Sequence, residues 1–164
     1  MTQDQIDKIL TQWQHESPDL DLSSLAVVGR ILQLARLLEK HRETVLAGFE
    51  LNLWSFDMLA TLRRQGPPYQ LKPTDLYGLL MLSSGAMTNR IDRLEKDGMV
   101  IRLRDPGDRR SVIVQLTQQG IERVDAVMPV LFEQENRLLD DLSQTETESL
   151  RSLLQKFLLT MTNA

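Results

Sequence analysis

The sequence contains no cysteine among its 164 residues. This absence excludes disulfide bonds, zinc–thiolate sites, iron–sulfur clusters, cysteine nucleophiles and sensing by thiol oxidation within these residues. Long hydrophobic runs are also missing, since no apolar stretch approaches the ~18 residues that a membrane span needs. The first residues lack the basic and apolar regions of a secretory signal. We therefore expect a cytoplasmic protein.

Residue patterns typical of catalysis are scarce. The two histidines, His15 and His41, lie in polar helical stretches, and neither has the His, Asp or Glu spacing of a metal site. There is no glycine-rich phosphate-binding loop and no sharp Gly-x-Ser-x-Gly turn around a nucleophilic serine. The sequence therefore predicts neither an enzyme nor a protein with a metal or another cofactor.

Charge is distributed unevenly along the chain. The net charge is −4, yet residues 54–116 contain ten Lys or Arg and seven Asp or Glu, which makes this segment +3. The remaining residues total −7. A basic middle between acidic ends favours a DNA-binding lobe on an acidic scaffold. Many globular proteins also have uneven charge, so this pattern does not decide by itself.

Hydrophobic periodicity predicts a mostly helical chain. Apolar residues at helical spacing predict helices over residues 2–15, 23–47, 52–65, 84–96 and 117–140, another from residue 73, and a last one from residue 144. Pro129 is expected to kink the helix that contains it. Residues 100–104 and 111–116 instead alternate apolar and polar side chains. Because the turn sequence Asp105-Pro106-Gly107-Asp108 lies between them, they predict a β-hairpin.

The order of elements predicts a winged helix-turn-helix, mainly α with a small β-hairpin wing. We divide the chain into N-terminal and dimerisation helices (1–48), a DNA-binding lobe (49–116) and C-terminal dimerisation helices (117–164). The first and last long helices carry more apolar positions than a lobe of this size can cover. A homodimer would bury them, and an intramolecular helix bundle is the alternative.

The helix over residues 84–96 has two unlike faces. Met87, Ile91 and Leu94 are expected to face the core. The side chains of the outward face are small or hydrogen-bonding near the start of the helix and basic further along. They are Ser83, Ser84, Thr88, Asn89, Arg90 and Arg93. Asn can pair with adenine, Arg with guanine, and Ser or Thr with bases or phosphates in a major groove. This face predicts a recognition helix, with an ordinary polar helix face as the alternative.

Arginines cluster around the predicted hairpin turn, at Arg104, Arg109 and Arg110. Arginine suits a narrow minor groove, where the negative potential is enhanced. Asp108 could hold one of these guanidinium groups in a fixed direction through a charge-assisted hydrogen bond. The alternative is a solvated, charged hairpin tip.

Three elements of the sequence resemble the MarR family of bacterial regulators. They are Thr88-Asn89-Arg90, Asp108-Arg109-Arg110 and Leu116-Thr117-Gln118-Gln119-Gly120, in this order and spacing. The similarity covers about residues 25–160. It implies a dimer formed by the terminal helices. It also implies that Ser84, Thr88, Asn89, Arg90 and Arg93 face the major groove or its phosphates, and that Arg109 or Arg110 enters the minor groove.

A finer resemblance concerns a ligand. The urate-responsive, PecS-like members of the family share an N-terminal helix with a Trp, an acid before the helix-turn-helix and an Arg in the recognition helix. The matching positions are Trp13, Asp57 and Arg90, with Arg102 a weaker match for a further Arg. The resemblance implies binding of a small anionic aromatic ligand such as urate. The alternative is that Trp13 packs in the core and Asp57 is a surface charge or part of a structural ion pair.

The chemistry of these residues suits such a ligand. Trp13 offers a stacking surface, Arg90 offers a planar donor fork, and an anion would repel Asp57. If Arg90 lies on the recognition helix, a ligand that binds the non-DNA conformation better lowers DNA affinity. We therefore expect a homodimeric, DNA-binding repressor that responds to a urate-like ligand. A regulator that responds to phenolic compounds and a winged-helix protein-interaction module are the alternatives.

Overall fold

The computed structural model describes residues 3–80, 84–108 and 111–163 of the chain. Seven helices and three short strands are assigned in these ranges, in the following order: α1 (Gln5–Glu16), α2 (Ser23–Ala47), α3 (Leu53–Arg63), β1 (Gln70–Leu71), α4 (Pro73–Leu80), α5 (Ser84–Lys96), β2 (Val100–Arg104), β3 (Val112–Leu116), α6 (Gln118–Arg137) and α7 (Gln144–Thr162). They form two compact units, Met1–Phe56 and Asp57–Ala164. The three-part division of the chain stays a prediction.

Capping side chains set where several helices begin. The side chain of Ser143 accepts a hydrogen bond from the backbone N–H of Glu146, and the carboxylate of Glu146 accepts one from the backbone N–H of Ser143. This capping box starts α7 at the predicted residue 144. Asp4 and Asp7 form an equivalent box, so α1 begins at Gln5 rather than at the predicted residue 2. Asn52 accepts from the backbone N–H of Ser55 at 3.1 Å, as expected for the start of α3.

The sheet has three antiparallel strands in the order β1-β3-β2. The predicted hairpin is confirmed, with Val100 opposite Leu116 and Arg104 opposite Val112. Strand β1 was not predicted. It consists of two residues, Gln70 and Leu71, which pair with β3, and so short a segment has no alternation for a sequence pattern to reveal.

The first turn of α6 packs closely against the residue that precedes β2. Thr117 caps the helix by accepting from the backbone N–H of Gly120 at 3.0 Å, and its hydroxyl donates to the carbonyl of Gly98 at 2.6 Å. A Cβ added to Gly120 would lie only 2.1 Å from the carbonyl oxygen of Met99. The Leu-Thr-x-x-Gly element therefore has a packing role, because only glycine fits at its last position.

The core of the unit Asp57–Ala164 is apolar. Side chains from α3, α4, α5, the sheet and α6 are fully or almost fully buried in it: Met58, Leu59, Leu62, Leu76, Met87, Ile91, Leu94, Val100, Val114, Val124, Val127 and Leu131. At the edge of this core, Arg63 at the end of α3 forms a bidentate ion pair with Asp125 of α6, with N–O distances of 2.8 and 3.0 Å. The buried side chains of α6 (Val124, Val127 and Leu131) and the ion pair together hold α6 against the helix-turn-helix.

No helix within the described ranges is both long and apolar enough to cross a membrane.

Candidate nucleic-acid interface

Helix α5 presents one apolar face and one polar face. Met87, Ile91 and Leu94 are each only 2% exposed, which confirms that they face the core. Thr88, Asn89 and Arg93 are exposed, and Arg90 is half-buried. The helix ends at Lys96, and Gly98, two residues further on, has a φ of +72°, the left-handed conformation that favours glycine after a helix end. The structure therefore brings four of the predicted DNA-binding residues onto one helix.

Two predicted residues at the start of α5 cannot be placed. Ser83 and the side chain of Ser84 lie outside the described residues. Their proposed contact with DNA stays a prediction.

The wing turn is organised by Asp105, which directly follows β2. Its Oδ1 accepts the backbone N–H of Gly107 at 2.8 Å, and its own N–H donates to the carbonyl of Ser111 at 3.1 Å. Arg104, the last residue of β2, is exposed, as is Asp108. Arg109 and Arg110 lie outside the described residues, so the predicted contact between one of them and Asp108 stays untested.

An ion pair connects the wing to the helix-turn-helix. The ammonium of Lys72, directly before α4, lies 2.7 Å from Oδ2 of Asp105. Its hydrogen bond, followed by that of the Gly107 N–H, lowers the pKa of Asp105 below the ordinary value, and the pKa of Lys72 is raised in turn. Sequence reasoning missed this pair. A lysine beside Pro73 and an aspartate in a Pro-Gly turn are both ordinary, and only the tertiary fold brings them together.

A second ion-pair cluster connects β2 to α5. The guanidinium of Arg102 binds the carboxylates of both Asp92 and Glu95. Its backbone N–H also donates to Glu95 at 3.0 Å. The structure thus places Arg102, one of the candidate ligand residues, against the recognition helix. Its role toward a ligand stays a prediction.

The remaining candidate ligand residues belong to both units. Trp13 on α1 is 47% exposed, so it does not pack as a core residue within the chain. With Gln12 and Glu16 it lines an open cavity of about 370 Å³. Asp57, the first residue of the second unit, is half-buried in α3. Each unit therefore carries part of the predicted ligand set.

The described ranges contain no group of three or more His, Asp or Glu side chains that could hold a metal ion.

Residues 51–112 match the MarR family. The HTH-type transcriptional regulator PecS of Dickeya dadantii is 37% identical over 150 residues, which cover 92% of this chain and 90% of that protein. The chain belongs to the MarR family. The Escherichia coli transcriptional repressor MprA is a further relative, 32% identical over 88% of this chain and 81% of its own length.

Solved structures of MarR proteins have the same fold. A mutant of MarR from E. coli complexed with operator DNA superposes with a TM-score of 0.72 at 26% identity, covering 85% of this chain and 99% of that chain. AbsC, a MarR family transcriptional regulator from Streptomyces coelicolor, gives a TM-score of 0.78 at 23% identity, covering 88% and 98% of the two chains. These similarities confirm the predicted winged helix-turn-helix.

The relatives also bear on the class of protein. PecS and MprA are named as transcriptional regulators, not as enzymes. The expectation that this MarR-family chain is a transcriptional regulator is confirmed.

Proposed function

We propose that this chain is a sequence-specific repressor that binds a pseudo-palindromic operator as a homodimer and is released by a small anionic aromatic ligand. One observation carries the DNA-binding part. Helix α5 buries its apolar face completely, and this fixes Thr88, Asn89 and Arg93 on its exposed face next to a wing.

The chemistry of that face suits duplex DNA. Asn89 can form a pair of hydrogen bonds with adenine, and Arg93 can pair with guanine or bind phosphate. Arg104 is exposed at the edge of the wing turn, where a guanidinium would meet the backbone or the minor groove. The MarR of E. coli has been solved with operator DNA, and this relative supports the same partner here.

The homodimer is supported by apolar surface that the single chain leaves uncovered. Helix α7 has no buried residue, although it exposes a row of large apolar side chains: Leu150, Leu153, Leu154, Phe157, Leu158, Leu159 and Met161. So large an apolar surface marks an interaction site. A second copy of the chain would cover it and would bring two recognition helices into successive turns of the duplex, ~34 Å apart.

The ligand response is supported by Trp13 and Arg90. Trp13 offers an exposed indole beside an open cavity, which suits stacking with a flat aromatic anion. Arg90 lies on α5, so a ligand that binds its guanidinium better in a non-DNA placement of the recognition helix favours that placement. The similarity to PecS extends over 92% of the chain.

Duplex binding by site variants tests the DNA-binding part. We expect Asn89→Ala and Arg93→Ala each to weaken binding to the chain's own upstream intergenic DNA by roughly tenfold, since one good base contact contributes ~1–3 kcal/mol. Fluorescence anisotropy of the labelled duplex measures this. Lys8→Ala, which removes an exposed charge from α1, should bind as the wild type does. Wild-type affinity in both α5 variants would contradict the proposed interface.

Adding urate to the protein–duplex complex tests the ligand part. We expect urate to release the wild-type protein, and Trp13→Phe to need more urate while binding DNA normally. Salicylate serves as a comparison ligand. Release by salicylate but not by urate would favour the alternative of a regulator that responds to phenolic compounds.

A further inference from the structure

Helix α1 is held on α2 by a small contact near its start. Ile6 is the only residue of α1 that is buried, at 6% exposure. It lies against Gly29 of α2, where an added Cβ would come within 3.1 Å of Ile6 Cδ1 and 3.4 Å of its Cγ2. The missing side chain at position 29 therefore provides the space that Ile6 fills.

A single guanidinium reinforces this contact. In Arg30, Nε donates to Asp4 at 2.8 Å and Nη2 donates to Asp7 at 2.5 Å. Its Nη1 donates to the carbonyl of Ala26 in the preceding turn of α2, also at 2.8 Å, so all three nitrogens of the guanidinium are hydrogen-bonded. Asp4 and Asp7 are the two acids of the α1 capping box. The groups that begin α1 are thus the same groups that bind it to α2.

Beyond Ile6, α1 has no buried residue. Gln12, Trp13 and Glu16 are exposed and line the open cavity. Trp13 lies six residues beyond Asp7, which corresponds to ~9 Å along a helix. Because a helix of this length is stiff, the orientation of its first turn determines where the indole lies.

We propose that Arg30 and Gly29 are positioning residues for the ligand site at Trp13. Neither needs to touch the ligand. The guanidinium and the space at Gly29 fix the first turn of α1 on α2, and the helix transmits that placement to the indole. A planar guanidinium suits this role better than an ammonium, since one lysine can keep the charge but cannot reproduce the geometry of three directed donors. This inference rests on the proposed ligand response.

Hydrogen–deuterium exchange of the intact protein tests the attachment. We expect residues 5–16 to exchange about tenfold faster in Arg30→Gln and in Gly29→Leu, because local opening becomes easier when these contacts are lost. Arg30→Lys should be intermediate. Arg36→Gln, an exposed arginine of α2, should exchange as the wild type does. Unchanged exchange of α1 in both Arg30→Gln and Gly29→Leu would overturn the proposal.

Calorimetry with urate, together with duplex binding without urate, tests the positioning role. We expect Arg30→Gln and Gly29→Leu to bind urate about tenfold more weakly while their DNA affinity is unchanged, since a tenfold loss corresponds to ~1.4 kcal/mol. Wild-type urate affinity in variants whose α1 exchanges faster would overturn this inference alone. A wild-type protein that binds no urate would contradict the proposed ligand and this inference with it, whereas the exchange data would still report on the attachment.

Discussion

At the scale of single residues, charged side chains hold the predicted DNA-binding lobe together and attach it to α6. Lys72 binds Asp105, and Arg63 binds Asp125. Each pair joins elements that are far apart in the sequence. We assign neither cation to DNA, because each neutralises a carboxylate of its own chain. Their loss is therefore expected to disturb the geometry of the lobe before it removes a phosphate contact.

Gly120 has less room for a side chain than any other glycine that the structure describes. A Cβ there would lie 2.1 Å from the backbone oxygen of Met99, and backbone cannot move aside as a flexible side chain would. We expect Gly120→Ala to lower the free energy of unfolding by about 1–3 kcal/mol, which is typical of overpacking. Urea denaturation followed by circular dichroism measures this.

Gly78 provides the matched control for Gly120. It lies exposed in α4, and an added Cβ would meet nothing within 4 Å. Gly78→Ala should leave stability unchanged or raise it by up to ~1 kcal/mol, because alanine favours a helix over glycine. Equal stabilities of the two variants would refute the packing role of Gly120.

At the scale of elements, the wing depends on its ion pair with the residue before α4. The hydrogen bond from Lys72 lowers the pKa of Asp105 below its ordinary 3.8, so the folded state favours the charged carboxylate. The stabilisation is then fully present above the unfolded-state pKa and is lost as the pH falls through the lower folded-state pKa. We expect Asp105→Asn to melt below the wild type at about pH 7, with the difference in Tm shrinking toward about pH 3.

The control for this pH dependence is Asp141→Asn, in the exposed loop before α7, which should match the wild type throughout. A Tm difference between Asp105→Asn and the wild type that stays constant from neutral to acidic pH would show that the pair with Lys72 contributes nothing.

Local patterns were sufficient to predict most elements. The apolar stripe of Met87, Ile91 and Leu94 identifies the buried face of α5 because helical spacing brings these residues together. Ser143 and Glu146 mark the start of α7 because their capping contacts span only three residues. Strand β1 escaped prediction because Gln70 and Leu71 pair with a segment more than forty residues away.

The candidate site was predictable only in part, because some of its contacts join residues that are far apart in the sequence. Thr88, Asn89 and Arg93 share one face of a single helix, so their exposure follows from local periodicity. Arg102 was assigned to a ligand by resemblance, and its pairing with Asp92 and Glu95 depends on β2 folding against α5. Trp13 belongs to a different unit from Asp57, and no local pattern relates the two.

At the scale of the whole molecule, the exposed apolar surface of α7 predicts a homodimer. Leu153 and Leu158 are 65% and 64% exposed in the single chain. We expect the double variant Leu153→Asp and Leu158→Asp to dissociate into monomers, since burying an unpaired charge at an interface costs several kcal/mol. Sedimentation equilibrium measures this.

The control for the dimer replaces exposed polar residues of the same helix, Ser152→Asp and Gln155→Asp, and should leave the association intact. A wild-type protein that sediments as a monomer at all concentrations would contradict the dimer. So would an unchanged dimer in the variant with aspartate at positions 153 and 158.

Charge distribution is the other property of the whole molecule that bears on DNA. The net charge is −4, so attraction to a duplex has to come from the basic middle segment rather than from the total. Binding through that segment releases counterions from the DNA phosphates, and each neutralised phosphate contributes about −0.9 to the slope of log affinity against log salt.

The most direct test of the account is the salt dependence of binding to the chain's own upstream intergenic DNA. With at least four phosphates contacted by two recognition helices and their wings, we predict that affinity falls about a hundredfold between about 50 and about 200 mM salt. Absence of duplex binding at the lower salt concentration, or equal affinity at both salt concentrations, would contradict the proposed DNA-binding function.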